Sequence, residues 1–161
     1  MIRAGLGFDA HPFAADRALV IGGVMFPDAP GLSGHSDADV LCHAVADAVL
    51  GAAGLGDLGQ RFPADERWAD SSSLEILVAS AEEVGAEGWT IQSVDATVIA
   101  ERPRLSPHRA AMERNIAEAL TIAPEQVSVK STTTDGMGFT GRAEGIAALA
   151  VVLVERARVG R

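Results

Sequence analysis

The sequence predicts an α/β chain, an α+β sandwich in which a single mixed β-sheet carries helices packed on one face. Strand-like runs rich in β-branched residues alternate with apolar stripes at helical spacing, and glycine or proline punctuates the junctions. The 161 residues, 48% of them hydrophobic, supply enough apolar material for one core, so a single domain over 1–161 is expected.

Residues 2–8 (Ile-Arg-Ala-Gly-Leu-Gly-Phe) read as a short strand opening into Asp9-Ala10-His11-Pro12. Leu19-Val20-Ile21 and Val24-Met25-Phe26 flank Gly22-Gly23, the pattern of a hairpin with a tight glycine turn. A loop from Pro27 to His35 leads to the clearest helix. Ser36 stands three residues before Asp39, a capping-box-like start, and Val40, Leu41, Ala44, Val45, Ala48 and Val49 follow at helical spacing. Gly51, Gly54 and Gly56 end that helix, and 56–65 reads as an aperiodic loop. Ser71 to Val84 is a second amphipathic helix, and Trp89 to Ala100 a strand. Ser106 as N-cap and Pro107 at the first helical position start a third helix through about Leu120. Val127 to Thr132 is a strand, Gly136 to Gly141 a mobile-looking loop, and Gly145 to Val154 a segment whose β-branched residues favour strand over helix.

Composition narrows the function. A net charge of −9 argues against general nucleic-acid binding, and Lys130 is the only lysine. No apolar run approaches the length of a membrane span, so no membrane association is expected. Met1-Ile2-Arg3-Ala4 lacks a basic region followed by an apolar stretch, so no secretory signal is expected. The single cysteine, Cys42, excludes an internal disulfide framework and fits a reducing cytoplasm, where the chain is expected to reside. Cys42 itself reads as a small buried apolar residue.

Several stretches carry candidate chemistry. Asp9 and His11, two apart on an extended segment, point the same way. His43, on the first helix between apolar neighbours, is the best candidate for a third ligand, with Asp39 and Asp47 one turn either side as orienting groups, although plain helix capping accounts for Asp39 at least as well. Two histidines and one carboxylate make the usual ligand set of a catalytic zinc. Spacing alone leaves open a second reading, in which Asp9 caps a turn and His43 is a satisfied core histidine. His35-Ser36 precedes a helix N-terminus suited to an anion, although simple capping by Ser36 accounts for the same residues. Asp57, in its glycine-rich loop, suits sugar-like hydroxyls or an ordinary turn. Thr132-Thr133-Thr134-Asp135 offers hydroxyls, amides and a carboxylate at a strand end, a set fit for a phosphate and a hard cation or for a polar strand terminus. Arg142 and Glu144 flank Ala143 as a plausible surface pair.

Taken together, these segments resemble one family, the 2-C-methyl-D-erythritol 2,4-cyclodiphosphate synthases of the non-mevalonate isoprenoid pathway. The resemblance lies in Gly5-Leu6-Gly7-Phe8-Asp9-Ala10-His11, Ile21-Gly22-Gly23-Val24, His35-Ser36-Asp37-Ala38-Asp39-Val40 with His43, and Leu50-Gly51-Ala52-Ala53 with Gly56-Asp57-Leu58-Gly59. It continues through Val129 to Asp135 and Gly138 to Ile146, in the family's order and across nearly the whole chain. It implies an enzyme, a phosphorus–oxygen lyase, in which the 2-phosphate of 4-diphosphocytidyl-2-C-methyl-D-erythritol 2-phosphate attacks the β-phosphorus and CMP leaves. It implies zinc on Asp9, His11 and His43, and magnesium or manganese bridging the substrate diphosphate near Asp135. His35 and Thr133 match transition-state-stabilising positions. Substrate contacts are implied for Asp9, His11, His35, Ser36, Asp57, Leu58, Gly59, Phe62, Asp65, Ala100, Arg104, Thr132, Thr133, Thr134, Asp135, Phe139 and Arg142. A homotrimer with active sites between subunits is implied, and Arg142 matches a position that meets an isoprenoid diphosphate in the central cavity. Asp135 stands where glutamate is more usual, Ser131 where alanine is, and Ala143 where glycine is; Ala64 sits in a loop often richer in aspartate. A zinc phosphohydrolase and a non-catalytic, metal-stapled diphosphate sensor are the competing readings.

Overall fold

The computed structural model describes residues 1–63, 68 and 71–157. Its sheet is built from β1 (Ile2–Ile21), β2 (Val24–Leu32), β3 (Thr90–Ile99), β4 (Val127–Thr132) and β5 (Gly145–Glu155) in the order β2-β1-β5-β3-β4. Only β3 and β4 run parallel, so the sheet is mixed. The helices are α1 (Val40–Ala53), α2 (Leu58–Arg61), α3 (Ser73–Ala86), α4 (Arg109–Leu120), entered through a 3-10 turn at Ser106–His108, and α5 (Gly138–Gly141). None is long and apolar enough to cross a membrane.

β1 is far longer than its sequence suggested. Residues 2–12 pair with β5 without a break, while 13–21 pair with β2, with register shifts around Ala18. The hairpin turn at Gly22 and Gly23 has φ of 58° and 69°, the left-handed values a two-residue turn demands. Along β1 the odd-numbered Gly5, Gly7, Asp9 and His11 face the helices, and Ile2, Leu6 and Phe8 face away. A Cβ on Gly7 would stand 2.0 Å from the Ala44 carbonyl oxygen, and one on Gly5 equally close to that of Ala48. The two glycines therefore let α1 lie directly on the strand.

α1 is not amphipathic but buried on nearly every side, with Asp47 among its few partly exposed positions. It rests on β1 and β5, carries α3 on its other flank, and α4 packs between α3 and β4. Its N-cap is Asp39, whose carboxylate accepts from Leu41 and Cys42 N–H and, across the fold, from Gly22 and Gly23 N–H. Burial raises the pKa of Asp39, opposed by those backbone N–H groups, and it raises that of Cys42 well above its usual value. Cys42 is buried, as expected. Ser36 is thus not the cap of this helix, and Ser106 lies inside the 3-10 turn rather than capping α4. The capping box belongs to α3, between Ser72 and Glu75. The segments 56–65 and 136–141, expected as loops, each contain a single helical turn.

Candidate functional site

β1 supplies Asp9 and His11, and α1 lowers His43 onto them. Asp9 Oδ2 lies 2.8 Å from His11 Nε2 and 3.1 Å from His43 Nδ1, and those two nitrogens are 3.3 Å apart. A tetrahedral ion with bonds near 2 Å needs donors about 3.3 Å from one another, so the trio has the dimensions of one ion's shell. Among the described residues it is the group of His, Cys, Asp and Glu side chains that converges in this way. Burial disfavours the Asp9 carboxylate, but the hydrogen bonds and charges of His11 and His43 outweigh it and lower its pKa to about 2. Burial also opposes charge on His11, yet Asp9 and a backbone bond with Ser33 raise its pKa. An ionised carboxylate with two convergent imidazoles fits a divalent transition metal.

The partners that steady His43 are not those the helix spacing suggested. Asp39 is spent on capping, and Asp47 Oδ1 accepts from Leu58 N–H, tying α1 to α2. The far nitrogen of His43, Nε2, lies 3.1 Å from Ser36 Oγ and 3.0 Å from Ser73 Oγ. Asp37 in turn accepts from the Ser73 hydroxyl and backbone N–H. Ser73 left no signal in the sequence beyond a serine run at a helix start. Arg17 was equally silent: it leaves β1 between register shifts and donates to the carbonyls of Gly34 and Ser36, bracing both sides of His35.

The trio forms part of the wall of a cavity of about 230 Å³, completed by His35, Ser36, Leu58, Phe62, Trp68 and Ile76 among others. Phe62 meets Trp68 edge to face at 4.9 Å. Asp57 caps α2 through the Gln60 N–H, and Gly59 sits in that same turn. Asp65 lies outside the described residues.

The remaining predicted residues gather elsewhere. Ala100 N–H donates to the Thr132 carbonyl, and Glu101 accepts from the N–H groups of Thr134 and Gly136. The 100–106 segment, with the exposed Arg104, therefore abuts Thr132 to Asp135. Beside it, Leu105, Ser106, Arg109, Lys130 and Ser131 line a cavity of about 200 Å³. Thr133 Oγ1 donates to Asp135, and Thr134 bonds Met137 and Thr140. Phe139 is 42% exposed on α5, and Arg142 pairs with Glu144, which raises the pKa of one and lowers that of the other. Register places His11 opposite Ile146, Ala147 opposite Ile99, and Ile99 opposite Thr132. Thr132 is thus three strand spacings from His11, about 14 Å, and alternation sends its side chain to the other face of the sheet. One chain does not bring the two clusters together.

Known proteins share the sequence and the fold of this chain. Residues 2–155 match the YgbB family. The 2-C-methyl-D-erythritol 2,4-cyclodiphosphate synthase of Syntrophomonas wolfei is 54% identical over 157 residues, 97% of this chain and 100% of the relative. The bifunctional IspDF of Campylobacter jejuni superposes with a TM-score of 0.93 at 39% identity, covering 98% of this chain and 43% of that one. IspF of Plasmodium falciparum in its CDP complex superposes with a TM-score of 0.85 at 31% identity, covering 98% and 97%. With the family matched over nearly its whole length and the fold shared, the chain belongs to the YgbB family of 2-C-methyl-D-erythritol 2,4-cyclodiphosphate synthases.

Proposed function

We propose that the chain converts 4-diphosphocytidyl-2-C-methyl-D-erythritol 2-phosphate to the 2,4-cyclodiphosphate and CMP. The observation that carries this reading is the Asp9–His11–His43 trio opening into a cleft beside His35, in a chain about half identical to synthases of that name. An oxygen of the 2-phosphate forms a bond to the β-phosphorus, and the bond from that phosphorus to the bridging oxygen breaks, releasing CMP. The exchange needs no proton from the protein. The work is to fold an anionic chain on itself and to neutralise it.

Asp9, His11 and His43 would hold zinc, which when bound supplies a Lewis acid for a phosphoryl oxygen. His35 and Thr133 donate to phosphoryl oxygens as charge redistributes. Ser36, Asp57, Leu58, Gly59 and Phe62 form the pocket for the methylerythritol portion, where Phe62 restricts water. Ala100, Arg104, Thr132, Thr134, Asp135 and Phe139 receive the cytidine diphosphate portion. A lone exposed carboxylate such as Asp135 suits magnesium or manganese that arrives with substrate phosphates.

The same geometry supports assembly. The side chains of His11 and Thr132 lie on opposite faces of the sheet, so one small molecule does not meet both within a chain, and the outer sheet face exposes Ile2, Leu6, Phe8, Leu149, Val151 and Leu153. Such a patch on adjacent strands needs a cover. A homotrimer joining the metal cluster of one subunit to the threonine tract of its neighbour satisfies both, with Arg142 near the axis to receive an isoprenoid diphosphate. We place the protein in the cytoplasm. Incubating purified protein with substrate, zinc and magnesium tests the activity. Cyclic diphosphate and CMP are expected; a linear hydrolysis product or no product would overturn the reading.

A further inference from the structure

We infer that Ser73, held by Asp37, is a positioning residue that fixes the proton of His43 on Nε2 and so presents Nδ1 unprotonated to a metal ion. The inference rests on the metal reading above and concerns residues outside the ligand trio. Two carboxylates compete for one imidazole proton. Asp9 Oδ2 faces Nδ1 at 3.1 Å and, left alone, would draw the proton to the nitrogen that must bind the ion. On the opposite side, Nε2 faces Ser73 Oγ at 3.0 Å and Ser36 Oγ at 3.1 Å.

A hydroxyl has a single proton to give. Ser73 gives its proton to Asp37 Oδ1, while its backbone N–H donates to Asp37 Oδ2 at 3.0 Å. Toward His43 the Ser73 oxygen is therefore an acceptor only. Ser36 Oγ accepts from Ala38 N–H and can send its own proton to Ser73 Oγ, 3.4 Å away, or to Nε2, so it adapts to either tautomer. Ser73 Oγ is the oxygen that meets Nε2 as an acceptor only. Ser73 is fully buried and Ser36 and His43 are nearly so, which shields these bonds from solvent. The relay crosses three elements, from the turn before α1 through the first residue of α3 to the α1 ring, so it sets ring orientation as well as tautomer.

The test uses the purified full chain. Zinc and cobalt affinities are measured by chelator competition for the wild type, Ser73→Ala and Asp37→Asn. In the metal-free forms, where no ion dictates the tautomer, NMR of 15N-histidine-labelled protein reads which ring nitrogen of His43 carries the proton. We expect a protected Nε2–H in the wild type and affinity lowered about 10–100-fold in each variant. Asp37→Asn is the sharper variant, because its amide can donate to Ser73 and reverse the direction of the relay. A His43 proton absent from Nε2, or variants that bind both metals as tightly as the wild type, would overturn the inference while leaving the metal centre intact. Failure of the wild type to bind either metal overturns the metal reading itself. Should Ser73→Ala not fold, the wild-type spectrum and Asp37→Asn decide.

Discussion

The metal trio and the threonine tract differ in where their polar groups find partners. Asp9 and His43 are 34 residues apart, and Asp37 and Ser73 are 36 apart, yet each pair is in hydrogen-bond contact. Around Thr133 most partners are local: Asp135, two residues on, for Thr133; Met137, three on, for Thr134; and Glu144, two on, for Arg142. Glu101 is the chief long-range tie there. The first region is set by the core, because moving its groups means moving α1 on the sheet. The second is a strand end that holds itself in shape. Three donors must stand ready before an ion arrives, whereas a loop that meets phosphates can complete its contacts on binding.

The largest effect should come from His43→Ala, which is expected to abolish zinc retention and to lower cyclodiphosphate formation by about a thousandfold, read by metal analysis and a product assay. Next, Gly7→Ala should cost about 3 kcal/mol of stability, since the added methyl meets backbone rather than a yielding side chain. Chemical denaturation measures it, and an unchanged midpoint would show that α1 is not pinned to β1. Thr133→Ala should lower turnover about a hundredfold while leaving the denaturation midpoint within about 0.5 kcal/mol of wild type. A loss of stability as large as that of Gly7→Ala would erase the distinction between the regions. The smallest effect concerns Ala143, whose φ of 55° places a non-glycine residue in the left-handed region. Ala143→Gly should add about 1 kcal/mol, seen as a raised melting temperature.

Legibility followed the same divide. The strand spacing of Asp9 and His11 and the helical position of His43 could be read because period 2 and period 3.6 each leave a trace in the residues. The hairpin at Gly22-Gly23 and the strand at Gly145 to Val154 were legible for that reason. Ser73, Asp37 and Arg17 were not, because their roles exist only once α3 and the β1 bend have docked, and no local pattern records that. Asp39 was misread in part: its capping pattern was visible, but its hold on the Gly22 and Gly23 amides was not, and Ser36 took credit for a cap it does not form.

The uneven pairing of β1 sets what changes of length the chain can absorb. Between Ile2 and Pro12 the strand is bonded residue for residue to β5, so inserting one amino acid before Asp9 would send Asp9 or its neighbours through the sheet to the wrong side. Between Ala14 and Ala18 the ladder already slips, and an added or lost residue there changes a bulge, provided Arg17 keeps its reach to the Gly34 and Ser36 carbonyls. Among relatives of this chain, gains and losses in the first strand should therefore collect within that short stretch, with the spacing from Gly5 to His11 held constant.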